Sequence, residues 1–240
     1  MKIKLSININ KPALIRNSRG GALPNILQLV KDCEALGAEG ITVHPRPDER
    51  HITYADVPAI KEIATTEYNI EGYPSEKWLK LVFENQPTQA TLVPDPPSAL
   101  TSNAGWLVSK HFDFLSDTIA ALKSKGIRTA LFMENDNAEI EAAKKVGAER
   151  IELYTGPYAD EYILDKEKAI APYIKAANFA ASIGLEINAG HDLNLDNLTY
   201  FKQNIPNLLE VSIGHALWCD AIYMGLEKTV QSYIDCLVDP

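Results

Sequence analysis

Leu36-Gly-Ala-Glu-Gly-Ile-Thr-Val-His44 returns later in the chain as Val146-Gly-Ala-Glu-Arg-Ile-Glu-Leu-Tyr154. Each stretch reads as a helix end, a glycine cap, a short strand and a polar ring at the strand tip. Working outward from this pair, short apolar or β-branched runs fall at 4–9, 40–44, 68–72, 89–94, 128–133, 150–155, 185–189 and 210–213. The echo occupies the second and sixth of these eight runs, which splits the chain into two halves of four units. Eight is the number of parallel strands that closes a barrel.

Between the runs lie helical patterns at 24–36, 75–84, 112–125, 136–146, 166–183 and 195–204, with a last helix at 220–236. Short strands alternating with helices argue for a parallel α/β sheet. The punctuation agrees. Gly37, Gly126, Gly147 and Gly184 each stand just before a strand, where a left-handed helix cap is expected. Asp136 with Glu139, and Ser75 after Pro74, are N-cap candidates. Pro172 should bend the longest helix or divide it, and Pro58 obscures the start of a helix after the second strand. The rival fold is an open doubly wound sheet, which normally has fewer strands and, when it binds dinucleotides, a glycine-rich first turn. Here that turn is Asn8-Ile-Asn-Lys-Pro12, without such glycines. The expectation is one closed (β/α)8 TIM barrel spanning 1–240, with no dividing linker.

The chain has 240 residues, 46% of them hydrophobic, enough for a full core of barrel size. A net charge of -9 argues against general nucleic-acid binding or attachment to an anionic membrane. A small anionic substrate remains compatible, because a local cationic cluster overrules net charge. Cys33, Cys219 and Cys236 lack zinc-like spacing and read as reduced thiols of a cytoplasmic protein. No apolar run is long enough to span a membrane, and no secretory signal is evident.

In such a barrel the chemistry sits at the C-terminal strand ends. The tips carry Asn8, Asn10 and Lys11; then His44, Arg46, Arg50 and His51; then Glu71; then the 94–105 loop. Beyond these come Glu134 or Asn135, Glu152 with Tyr154, Asn188 with His191, and Gly214 with His215. The second tip, His44-Pro-Arg-Pro-Asp-Glu-Arg-His51, is dense in titratable groups and stiffened by prolines. It reads as an anion-binding and proton-transfer loop, or as a solvated loop paired to itself. Gly190-His191 and Gly214-His215 end the last two strands, where barrels of this kind often hold phosphate on backbone N–H groups. The alternative there is two structural glycines beside hydrogen-bonded histidines. Glu71 and Glu152 are tuned acid/base groups or members of buried ion pairs. The 94–105 stretch, proline-rich then small and polar, suits a loop that closes over a ligand, with Gly105 as hinge. Histidine and carboxylate spacing gives no zinc or calcium motif, and no metal is expected.

These stretches together carry a likeness. Asn8-Ile-Asn-Lys, Arg16-Asn-Ser-Arg-Gly20, Gly40 through Thr53, Asn69-Ile-Glu71, Leu92-Val-Pro94, Leu100-Thr101, Glu152-Leu-Tyr-Thr-Gly156, Asn188-Ala-Gly-His191 and Ile213-Gly-His-Ala216 resemble the pyridoxine 5'-phosphate synthase family in order and over nearly the whole chain. The resemblance implies a TIM barrel with extra helices, one of them near Arg16–Gly20, and an octamer built from dimers. It implies no cofactor. The reaction it implies joins 3-amino-2-oxopropyl phosphate to 1-deoxy-D-xylulose 5-phosphate, giving pyridoxine 5'-phosphate, inorganic phosphate and water.

The same likeness assigns catalysis to His44, Glu71 and His191, with Glu152 at the amino-ketone end. Binding falls to Asn8, Asn10, Lys11, Arg46, His51, Thr101, Gly190, Gly214 and His215. Arg19 would reach a phosphate, from a neighbouring subunit in one arrangement. The sequence departs from the typical pattern at three places. Asn10-Lys11 stands where Asp-His is usual, Tyr154 where a His is frequent, and Asn103 where a Glu is frequent. Lys11 is then a phosphate or carboxylate partner rather than a covalent catalyst. Two other classes remain: a sugar-phosphate isomerase or aldolase, turning over one phosphorylated substrate without an amine, and a non-catalytic phosphate-metabolite binding protein.

Overall fold

A computed structural model describes residues 2–95, 99 and 101–238. Eight strands run in chain order around a closed barrel: β1 (Lys4–Asn8), β2 (Gly40–Val43), β3 (Glu67–Gly72), β4 (Gln89–Leu92), β5 (Arg128–Met133), β6 (Arg150–Leu153), β7 (Glu186–Gly190) and β8 (Leu208–Ile213). Every neighbouring pair is parallel, and β8 closes on β1 with Leu5 opposite Val211. The helices are α1 (Asn10–Asn17), α2 (Ile26–Ala35), α3 (Asp56–Ile63), α4 (Glu76–Asn85), α5 (Phe112–Ser124), α6 (Asn137–Lys145), α7 (Gly156–Tyr162), α8 (Lys166–Ser182), α9 (Leu198–Asn204), α10 (His215–Met224) and α11 (Leu226–Leu237). Among the described residues no helix is long and apolar enough to cross a membrane.

The expected caps form. Ser75 accepts from Trp78 N at 3.3 Å, and Asp136 accepts from Ala138 N at 2.8 Å. Each fixes a helix start directly after a strand tip. The glycines expected as helix stops have positive φ: 108° at Gly37, 72° at Gly126, 92° at Gly147 and 72° at Gly184. Two expectations change, and one narrows. The last helix, placed at 220–236, is two helices, because Gly225 takes φ 79° and breaks the run between α10 and α11. Pro172 lies inside α8 without dividing it. The helix at 195–204 starts only at Leu198.

Alternation along each strand decides the two faces of the sheet. Leu5 and Ile7, Ile41 and Val43, Ile151 and Leu153, and Val211 and Ile213 pack in the apolar core under the helices. The intervening residues, such as Ser6, Thr42, Asn69 and Thr91, hydrogen-bond to one another across the barrel interior. At its N-terminal end the interior is ionic. Glu67 pairs with Lys4 and Arg128, while Arg150 holds Glu186 at 2.6 Å and Glu210 at 3.2 Å. The barrel is therefore plugged at its base by charge pairs and open at the other end.

Candidate active site

The open end holds a cavity of about 520 Å³ lined by residues from all eight strands or the loops after them. At the first tip, Asn8 Oδ1 accepts from Asn10 N at 3.1 Å. Asn10 Oδ1 in turn accepts from His44 N at 2.9 Å, tying the first tip to the second. Asn10 is thus a structural clip as well as a wall residue. Lys11, one position into α1, also lines the cavity.

The second loop is fastened by α1. Arg16 makes a two-pronged pair with Asp56 at 2.6 and 2.7 Å. Asn17 Nδ2 lies 3.2 Å from the carbonyls of Glu49 and Arg50 and 2.7 Å from that of His51. Arg50 pairs with Asp48, as the self-paired alternative expects, yet it also lines the cavity. Arg46 is buried against Asp95 at 2.8 Å, and Ser102 Oγ donates to the same carboxylate oxygen at 2.6 Å. Arg46 and Arg50 both donate to the carbonyl of Ala99. Loop 4 therefore leans on loop 2. The expected closing segment 94–105 includes 96–98 and Leu100, which lie outside the described residues.

The floor carries the titratable groups. Glu71 Oε2 is 3.4 Å from Asn8 Nδ2 and 3.8 Å from His44 Nδ1. Burial, reinforced by the Asp95 charge and opposed by Arg46, pushes the Glu71 carboxyl up to about 8. Burial, together with Arg46, His51 and Arg50, holds His44 well below the usual imidazole range. At neutral pH the pair is a protonated acid beside a neutral ring. His51 is lowered to about 4 by burial and then by Arg46, Arg50 and Lys11. Its Nδ1 accepts from Ile52 N at 2.9 Å, so the ring proton sits on Nε2. Glu152 is raised well above the carboxylate range by burial and then by Glu71 and Glu210, and its Oε2 is buried without a hydrogen-bond partner among the described residues.

The remaining wall is aromatic and backbone. Tyr154 sets its ring edge against His191 at 5.3 Å between centroids. Thr101 Oγ1 is 3.0 Å from His191 Nε2, across the cavity mouth. Gly214 and the first residues of α10 line the cavity, and no side chain caps that helix start. Gly190 differs from Gly214. It does not line the cavity; a Cβ there would lie 2.5 Å from the Ser212 carbonyl oxygen and 3.0 Å from Glu152 Oε1. The absence of a side chain at Gly190 serves the approach of β7 to β8. Arg19 is exposed on the chain after α1 and lies outside the cavity wall. Asp95, Asp192 and Ser212 were not anticipated. Asp192 had a signal, since it directly follows the Gly-His pair; Asp95 sits in a proline stretch with no motif around it.

The family model described as "Pyridoxal phosphate biosynthesis protein PdxJ" matches residues 5–239. The chain belongs to the PdxJ family. Curated PdxJ relatives named pyridoxine 5'-phosphate synthase include that of Parabacteroides distasonis, 58% identical over 97% of this chain and 98% of the relative. That of Bacteroides thetaiotaomicron is 54% identical over 98% and 99%, and that of Cytophaga hutchinsonii 56% over 96% and 97%. Among solved structures, 3-keto-L-gulonate-6-phosphate decarboxylase from Vibrio cholerae superposes with TM-score 0.64 at 9% identity, covering 100% of both chains. Phosphoribosylanthranilate isomerase from Thermotoga maritima gives 0.60 at 13%, covering 98% of both. Those two likenesses concern the barrel alone. Of the positions at which departures from the typical pattern are expected, Asn10 clips two loops, Lys11 and Tyr154 face the cavity, and Asn103 is exposed.

Proposed function

We propose that this protein is a pyridoxine 5'-phosphate synthase, condensing 3-amino-2-oxopropyl phosphate with 1-deoxy-D-xylulose 5-phosphate and closing the pyridine ring. The observation that carries the chemistry is the cavity floor, where Glu71 is protonated near neutrality and neutral His44 sits 3.8 Å away. Condensation of an amine with a ketone needs both a proton donor to the carbinolamine oxygen and an acceptor for protons leaving carbon and nitrogen. Glu71 enters as the acid and His44 as the base. The unpartnered Glu152 Oε2 faces the amino-ketone and takes up its amine hydrogen bond. His191, on the opposite wall, handles protons in the later aldol-type closure and dehydration.

One phosphate rests on the uncapped N–H groups at the start of α10, between Gly214 and Ala216, with His215 beside it. The other faces Lys11, Arg50 and His51 across the cavity. Arg46 holds the fourth loop against that side, while Thr101 ties the same loop to His191 on the opposite wall. Loss of inorganic phosphate is an elimination, so one phosphate is positioned as a leaving group.

The protein acts as one domain over 1–240 in the cytoplasm, where its three free cysteines stay reduced. It assembles as an octamer built from dimers. Arg19, exposed and outside its own cavity, then serves a neighbouring subunit's phosphate, and exposed Ile15, Ile222 and Tyr223 supply apolar contact surface. The test is direct. Incubation with both substrates should release inorganic phosphate and produce the absorbance of pyridoxine 5'-phosphate. No release with both present refutes the assignment, and turnover of either phosphate alone favours an isomerase or aldolase.

A further inference from the structure

The seventh loop makes an unusual turn after β7. His191 and Asp192 both have left-handed backbones, with φ 48° and 67°. Two consecutive residues of this kind are costly without glycine and persist only where neighbours hold them. Here the neighbours are explicit. Thr155 Oγ1 donates to the His191 carbonyl at 2.6 Å, and Asn197 Nδ2 donates to the Asp192 carbonyl at 3.2 Å. The turn brings the Asp192 carboxylate back onto its own neighbour, with Oδ2 2.7 Å from His191 Nδ1.

We propose that Asp192 is a positioning residue for His191, fixing the imidazole in the tautomer with the proton on Nδ1 and leaving the Nε2 lone pair aimed into the cavity. An ionised carboxylate can only accept, so the nitrogen facing it carries hydrogen. The contact to His191 holds the Asp192 carboxyl below the usual range, consistent with its being ionised. On the other side of the ring, Nε2 meets Thr101 Oγ1 at 3.0 Å, and a hydroxyl donates to that lone pair. Tyr154 and Phe132 brace the ring at centroid distances of 5.3 and 6.4 Å. Acceptor, donor and two aromatic rings leave the imidazole a single orientation. A carboxylate on the far nitrogen also stabilises the imidazolium once Nε2 has taken a proton. The proposal rests on His191 being an acid/base group, as argued above.

The experiment separates the two claims. Histidine ring nitrogens are labelled with ¹⁵N in the full-length protein, and His191 is assigned by comparison with His191→Asn. The wild-type ring is expected to be the Nδ1–H form near neutral pH. In Asp192→Gly, which removes the carboxylate and suits the left-handed backbone, the ring is expected to shift towards the Nε2–H form. Asp192→Gly should lower kcat about ten- to a hundredfold with KM within about twofold, and Asp192→Asn, which keeps an oxygen acceptor, should lie between. An Nε2–H ring in the wild type overturns the proposal without needing any variant to fold. So does an unchanged tautomer or an unchanged kcat in Asp192→Gly. Full turnover in His191→Asn instead removes the acid/base role of His191, and the proposal falls with it.

Discussion

At the scale of single residues, the floor of the cavity is governed by what burial does to proton affinity. Glu71 binds its proton more tightly in the folded chain than in the unfolded one, at about 8 against an ordinary value of 4.5. Two consequences have definite signs. As an acid, Glu71 loses its proton as pH rises, so kcat should fall above about 8. Glu71→Gln should cut turnover by about 10²-fold or more with near-normal substrate binding, and its residual rate should lack that limb. For stability, the folded state holds the extra proton between the two values, so wild-type stability declines as pH rises through that window. Glu71→Gln should therefore gain on the wild type in urea unfolding on going from pH 5 to pH 8. A parallel pH response of the two proteins would show that Glu71 is not strained by ionisation. Lys11 makes a different kind of contribution. It lines the wall beside a cationic loop, so Lys11→Met should raise KM about tenfold or more and leave kcat within a fewfold, read from saturation kinetics. Collapse of kcat with KM intact would assign it chemistry instead.

At the scale of elements, helices and loops act as brackets. Helix α1 presents Asn17 to three successive carbonyls of the second loop. Asn17→Ala should free that loop, raise KM by about an order of magnitude, and cost about 1–3 kcal/mol of stability from the stranded carbonyls. Kinetics and chemical denaturation check the two parts separately. Strands β7 and β8 approach too closely at Gly190 for any side chain. A methyl group at 2.5 Å from the Ser212 carbonyl must push the strands apart and crowd Glu152. Gly190→Ala should lower the thermal midpoint by several degrees and abolish most turnover, even though Gly190 touches no cavity space. The matching change at Gly214 meets Asn8 first, with contacts from 3.1 Å, and should be milder for the fold.

At the scale of the molecule, the barrel has a polar bore with charge at its base. Arg150 there serves Glu186, Glu210, Gln89 and Asn188 together. Burial raises Glu210, and Arg150 opposes that. Removing the cation alone leaves a buried carboxylate uncompensated. Arg150→Met should cost about 3–5 kcal/mol, and adding Glu210→Gln should recover part of it. Urea denaturation at fixed protein concentration measures the cycle; no recovery in the double variant would mean that Arg150 acts mainly through its other partners. The arrangement also explains why one end of the barrel is sealed. A charged, fully paired base leaves water and ligands only the end where the strand tips and their loops gather.

What the chain fixed by itself is local. Helix stops such as Gly37 and Gly147, caps such as Ser75 and Asp136, and the two-residue alternation of the strands act within a few positions. That is why the eight-unit order and the strand tips could be read from them, and why family membership follows from motifs at those tips. Interrupted helices were read less well, because Gly225 breaks a helix through a backbone angle its neighbours do not announce, while Pro172 is tolerated inside α8. Only the tertiary structure brought Glu71 against His44, set Asp95 on Arg46, and put Ser212 and Glu152 against Gly190. Those outcomes depend on groups far apart in the chain and on removal from water. Proton affinity and close approach belong to the closed barrel, and the two Gly-His tips, alike in sequence, part company there.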